Sequence, residues 1–329
     1  MYNANITRQA AIARLAPFLM VAAPFAAYPI IRNNPYLFHL AILYLLWVVL
    51  GQSWNIIGGY AGQVSFGNSI FYGVGAYAAA LLMANKGWSM WAGLVAGGIA
   101  AVVAAWPFGA LTFHLRGAYF VNATFAASEI ARLLALNLKN ITGGPSGILL
   151  PPVYMDRTPF YLLIAFLAAA VTLLIRVLER SKPGLYFQAV RESHDASEAL
   201  GISTKRLKML ALCMSAFFAG LAGAFYVYYM CYIDPDIMFG LPVNSTMILV
   251  VTVGGAGTAL GSYGGALIVT AIGELFRNYF GGAHLFAYGA MLILVPMFMP
   301  NGVSGAIGKA FRRIVRKGVS ALDCIVGRE

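Results

Sequence analysis

Long apolar runs separated by short polar clusters recur along this chain. A helix needs about 20 apolar residues to cross the hydrocarbon core of a bilayer. Leu15–Ile31, Tyr36–Ile57, Val64–Ala84, Met90–Phe113, Gly117–Leu138, Pro159–Leu178, Leu207–Tyr229 and His284–Met299 are each candidate spans on that measure. Two apolar regions are interrupted. Thr246 to Phe276 carries Gly254, Gly255 and Gly257, then Gly261, Gly264 and Gly265, which suits two short helices or a re-entrant hairpin. Gly58 to Ser69 places glycines and polar side chains ahead of the apolar run that starts at Phe71. Irregular backbone at membrane depth is tolerated only where protein buries it or a wet cavity faces it, so both interruptions are candidates for a transport pathway. Gln63, Ser65 and Asn68 at the second break, with Asn122 and Thr124 in the span from Gly117, are the candidate lining groups. The small-residue rows Gly257, Gly261, Gly265 and Ser65, Ser69, Gly73 read as close helix packing.

The pattern reverses between Glu179 and Lys208, where ten of the chain's 33 charged residues are concentrated. The stretch Tyr186–Leu200 is expected to form one short amphipathic helix, entered after Pro183-Gly184 and closed by Gly201 in a left-handed cap with Ile202 packing back. At about 100° per residue, Tyr186, Val190 and Leu200 share one side, with Glu192, Asp195 and Glu198 on roughly the other. Such an island is either a solvated linker or a contact surface.

Composition fixes the class. With 60% hydrophobic and 10% charged residues, the chain reads as all-α, a polytopic helical membrane protein of about 8–10 membrane segments including broken ones. Residues 1–308 form one membrane domain containing the 179–208 loop, and 309–329 a basic tail. The net charge of +11 reports orientation and not nucleic acid, because Lys and Arg accumulate in cytoplasmic loops. Arg8 and Arg14, six basic residues within 179–208, and the tail then all lie on the cytoplasmic side, with both termini inside. The apolar region Thr246–Phe276 must therefore leave the outer face and return to it. The first apolar run is too long and too proline-rich for a signal peptide and is expected to be retained. Three isolated cysteines and four scattered histidines indicate neither a disulfide framework nor a metal site. Gly302 to Ala310 lacks the spacing of a phosphate-binding loop, so any ATP and Mg would sit on another polypeptide.

Two acids fall inside apolar segments, each followed three residues later by arginine: Glu129 with Arg132, and Glu274 with Arg277. That spacing shares a helix face and favours internal ion pairing. The competing reading makes Glu129 and Glu274 proton sites of an ion-coupled secondary transporter.

Several collinear segments carry a family resemblance. Gly59-Tyr60-Ala61-Gly62-Gln63-Val64-Ser65-Phe66-Gly67, Gly73-Val74-Gly75-Ala76-Tyr77, Arg116-Gly117-Ala118-Tyr119-Phe120, Glu129-Ile130-Ala131-Arg132, Thr142-Gly143-Gly144-Pro145-Ser146-Gly147, Glu198-Ala199-Leu200-Gly201-Ile202 and Gly220-Leu221-Ala222-Gly223-Ala224 resemble the membrane permeases of branched-chain amino-acid ABC importers. The Thr-Gly-Gly-Pro segment is similar to the longer of the two permeases paired in such importers. The resemblance implies a bacterial inner-membrane subunit, a heterodimer with a second permease, cytoplasmic ATP-binding subunits, and an external solute-binding protein that docks near Thr142–Arg157 and Asp234–Asp236. It implies that Arg191, Glu192, Asp195, Glu198, Ala199 and Gly201 belong to a coupling helix seated in the ATPase. Asn68, Leu185, Gln188 and His194 depart from the residues usual in that family, which leaves the substrate and the ATPase partner open; permeases for urea or short amides look similar and give an alternative substrate class.

Overall fold

The computed structural model describes residues 31–280 continuously, with scattered positions within 22–29 and 289–302. The expected spans Leu15–Ile31 and His284–Met299 lie wholly or almost wholly outside that continuous stretch, as does the basic tail. Helix α1 (Pro35–Asn55) starts at Asn34, whose side chain accepts from the Tyr36 and Leu37 amides, and its last turn widens into a π turn at Ile56–Tyr60. There follow α2 (Asn68–Lys86), α3 (Met90–Thr112), α4 (Ala118–Asn137), α5 (Thr158–Arg180), α6 (Lys182–Glu192), α7 (His194–Ala199), α8 (Thr204–Met230), α9 (Pro235–Phe239), α10 (Leu241–Gly254) and α11 (Gly261–Phe280). Five stretches among the described residues are long and apolar enough to cross a membrane: Pro35–Tyr60, Met90–Thr112, Thr158–Arg180, Thr204–Met230 and Pro235–Gly254. Helices α2 and α4 occupy two further expected spans but carry more polar side chains, and a polar residue in a membrane helix belongs against protein. The glycine-interrupted region resolves into α10 and α11, two helices joined by Gly255–Leu260.

The centre is a three-helix contact of α2, α3 and α8 built on glycines. A Cβ on Gly97 would sit 2.7 Å from the Gly75 carbonyl oxygen and 2.9 Å from the Ala224 methyl. Gly223 meets the backbone of α2 at Tyr72 and Ala76, and Gly75 meets the backbone of Gly220. Lipid tails are as apolar as leucine, so burial alone gives these helices little drive to associate, and close backbone approach supplies the dispersion contacts instead. Gly261 and Gly265 do the same for the α10–α11 pair, as the small-residue row predicts. The outward faces are apolar. On α3, Trp91, Val95, Ile99, Val103 and Trp106 form an exposed stripe, and on α5 Leu162, Phe166, Leu173 and Val177 form another. Two tryptophans about 22 Å apart along α3 suit the interfacial zones at either edge of a hydrocarbon layer.

At one end of the bundle a two-stranded antiparallel ribbon, β1 (Ile148–Leu149) and β2 (Tyr232–Ile233), ties the α4–α5 connection to the end of α8. Three left-handed glycines, Gly143, Gly144 and Gly147, shape the turn that leads into it.

Because Gly223 lies against backbone and no side chain can give way there, Gly223→Val should overpack the α2–α8 contact. A destabilisation of about 1–3 kcal/mol is expected. Thermal unfolding in detergent should show a lowered midpoint, while the same change at exposed Ile99 should leave it near wild type.

Candidate functional site

Two groups of polar residues sit at different depths. The first surrounds the junction of α2, α4, α9 and α10. Asn244 accepts from the Ser69 amide at 2.9 Å and donates to the hydroxyls of Ser69 at 2.7 Å and Ser128 at 3.2 Å. Those hydroxyls lie 2.8 Å apart, and both are within reach of the Phe239 carbonyl, at 3.1 and 3.3 Å. That carbonyl lies at the break between α9 and α10, where helical bonding stops. The broken backbone is thus satisfied by side chains, as an interior without water requires.

Of the residues singled out in the sequence, Asn68 and Thr124 border this node. Asn68 is fully buried and donates to Ser215 of α8 at 2.9 Å, while its carbonyl oxygen has no partner among the described residues. Thr124 accepts from the Phe66 amide at 3.1 Å, and Ser65 accepts from the Gly67 amide at 3.1 Å. Gln63 is half-buried nearer the loop of α6, and Asn122 faces outward from α4, away from the node. Ser128, Ser215 and Asn244 carried no local signal; only tertiary contact reveals them.

The second group gathers at the opposite end around α6 and α7. The single helix expected over Tyr186–Leu200 is corrected to two helices broken at Ser193, which adopts extended backbone. The Ser193 hydroxyl accepts from the Ala196 amide at 3.3 Å and caps α7, so a local side-chain bond replaces helix continuation. The cap at the far end is as expected: Gly201 is left-handed, and the Gly201 and Ile202 amides donate to Glu198 and Ser197. The break also changes which residues face inward. Phe187 and Val190 are buried against the bundle, but Leu200, expected beside Val190, is 80% exposed.

Asp195 pairs with Arg116 of the α3–α4 connection at 2.8 Å, and Glu198 accepts from Thr204 of α8 at 2.7 Å with Arg116 at 3.9 Å. Glu192 and Ala199 are exposed. Arg191 turns inward and donates to the Gly59 carbonyl in the π turn at 2.6 Å. Tyr60 of that turn donates to Glu179 at 2.5 Å, and Glu179 pairs with Arg176 at 3.1 Å. Gln52 and Asn55 bind the α10–α11 loop: Asn55 accepts from the Gly257 amide at 2.9 Å and donates to the Thr258 carbonyl at 3.0 Å, and Gln52 donates to Ala259. These two amides at the end of an apolar run were the legible signal that passed unused. His194 stands beside Lys208 and 3.6 Å from Glu198; burial foremost, then Lys208, holds its imidazole below the ordinary 6.5.

Of the two expected ion pairs, Glu129–Arg132 forms, at the other end. Arg132 binds Glu129 and also reaches Asp236 of α9 at 2.5 Å, tying α4 to α9. Glu274 accepts from Tyr36 of α1; the Arg277 side chain lies outside those described. Among the described residues no group of three or more His, Cys, Asp or Glu is placed to hold a metal ion.

The family described as "Branched-chain amino acid transport system / permease component" matches residues 36–297. The chain is 29% identical over 294 residues to the high-affinity branched-chain amino acid transport system permease protein LivM of Escherichia coli (strain K12), covering 80% of this chain and 69% of that protein. It is 28% identical, with the same coverage, to LivM of Salmonella typhimurium. No solved structure matches.

Replacing Asn244 by the isosteric leucine strips three hydrogen bonds from buried partners, and a loss of about 1–3 kcal/mol in detergent unfolding is expected; Asn122→Leu should be near neutral. His194 carries a pH signature. Its neutral form is favoured in the folded chain, so the stability it contributes is present above pH 6.5 and lost as pH falls through its lowered folded-state value. Unfolding midpoints measured on acidification should fall less steeply for His194→Gln than for the wild type.

Proposed function

The chain belongs to the permease family of branched-chain amino acid transport systems, and from that premise we propose that it is the membrane subunit of an ATP-driven importer for branched-chain or related aliphatic amino acids. In this reading α6 and α7 lie in the cytoplasm and seat in a separate ATP-binding chain that carries ATP and Mg. A second permease packs against this one, and an external binding protein delivers substrate to the end marked by Asp236 and the Gly143–Gly147 turn.

The observation that carries the coupling surface is Leu200. It is a large apolar side chain, 80% exposed, standing among exposed Glu192, Asp195 and Ala199 on a charged loop. Its backbone is fixed by the Gly201 cap, so it is presented on a rigid turn and needs little ordering on docking. An apolar anchor ringed by polar groups is the anatomy of an interface centre. The pairs from Arg116 and Thr204 to Asp195 and Glu198 join this turn to the start of α4 and α8. Movement of a docked partner is thereby passed to two helices of the bundle.

Glu129 is engaged by Arg132, which supports a latch between α4 and α9 over a proton site. Selectivity is left to the polar groups facing the second permease, where Asn122 stands on the outward face of α4, and to the binding protein.

Leu200→Asp should leave the unfolding midpoint near wild type, because the side chain is 80% exposed and has little packing to lose. Co-purification of the ATP-binding chain should weaken by about 30-fold or more, with uptake lost in parallel. Persistent association would place the docking surface elsewhere. Wild-type uptake of labelled leucine should be competed by isoleucine and valine, should not be competed by urea, and should stop on ATP depletion with ion gradients intact.

A further inference from the structure

The resemblance assigns Arg191 to docking; the residue is exposed overall, yet its Nη1 reaches the π turn and lies beside Gly257 of the Gly255–Leu260 loop. Three observations converge on it. Its Nη1 donates to the carbonyl of Gly59 at 2.6 Å, inside the π turn that ends α1. A Cβ on Gly62 would sit 2.9 Å from the Arg191 Cγ, and a Cβ on Gly257 would collide with Nη1. Both glycines are left-handed, so each is suited to its turn and also leaves the space the arginine occupies. Asn55 closes the arrangement by bonding both the Gly257 amide and the Thr258 carbonyl.

We propose that Arg191 is a positioning residue that joins α6 to the π turn Ile56–Tyr60 and the Gly255–Leu260 loop, so that this end of the pathway moves with the coupling loop as one body. The proposal rests on the reading of α6 and α7 as that loop. A guanidinium suits the role because it stays charged and offers several donors from one rigid plane, so it can hold the Gly59 carbonyl beside Gly257 while its stem passes Gly62. The π turn is gripped from the other side by Tyr60 and Glu179 at the end of α5. Displacement of α6 relative to α5 therefore loads the turn from two directions, and α1 and the α10–α11 pair are the helices that must respond.

The test uses the full chain with its partners in proteoliposomes. Arg191→Ala is expected to assemble normally and hydrolyse ATP near the wild-type rate, while substrate moved per ATP falls by about ten-fold, the scale of one charged hydrogen bond. Arg191→Lys should recover part of the coupling. If Arg191→Ala fails to fold, Gly257→Ala decides the matter, since its methyl occupies the guanidinium position and leaves the arginine's charge in place; the same uncoupling is expected. Spin labels at Leu185 and Val64, in a background with the native cysteines replaced, should keep one narrow separation in both nucleotide states of the wild type and a broad one in Arg191→Ala. Unchanged transport per ATP, or loss of ATPase association in Arg191→Ala, overturns the proposal. ATP-independent uptake by the wild type would instead overturn the importer reading, a separate outcome.

Discussion

A backbone group inside hydrocarbon has no water to turn to, and the rest of this structure follows from how its helix breaks meet that demand. Three breaks interrupt the helices of the bundle: the π turn Ile56–Tyr60, the Phe239–Leu241 junction and the Gly255–Leu260 loop. Each is bonded by side chains from elsewhere in the chain. Arg191 serves the first, the Ser69 and Ser128 hydroxyls serve the Phe239 carbonyl, and Gln52 and Asn55 serve the last. Trp54 joins them, its indole donating to Ser65 at 2.8 Å. The breaks are therefore load points where distant helices are joined, and a change in one is transmitted to its partners.

This arrangement divides the molecule into a stiff centre and two polar ends. The centre is the glycine contact of α2, α3 and α8, where backbone touches backbone and no rotamer can relax. At one end α6 and α7 hang on α8, the π turn and Arg116; at the other, Arg132 joins α4 to Asp236. Exposed ion pairs such as Arg116–Asp195 contribute only about 0.2–1 kcal/mol each. Pairs of that strength fix orientation yet yield to a docking partner, which suits an element that must be moved.

Much of the fold was legible as periodicity. The apolar runs, the turn at Gly254–Gly257, the left-handed cap at Gly201 and the Glu129–Arg132 pair follow from local rules of length, glycine conformation and three-residue spacing. The break at Ser193 was also written locally, as a serine able to cap, but periodicity smoothed over it and placed Leu200 on the buried side. Asn122, exposed on α4, is a different case. An amide in an apolar run needs relief somewhere, and spacing along one helix says nothing of which neighbour, or which partner chain, provides it.

The sequence by itself determined that this is a multi-pass helical membrane protein with a charged loop and glycine-broken segments, because hydrocarbon thickness and backbone satisfaction act on short stretches of chain. Only the tertiary structure decided what the polar residues do. Arg191 and Gly59, Asn55 and Thr258, and Ser69 and Asn244 are separated by 132, 203 and 175 positions, and each pair is joined by a hydrogen bond. Such a bond depends on helix crossing and register, quantities set by the packing of the whole bundle and not carried by either residue alone.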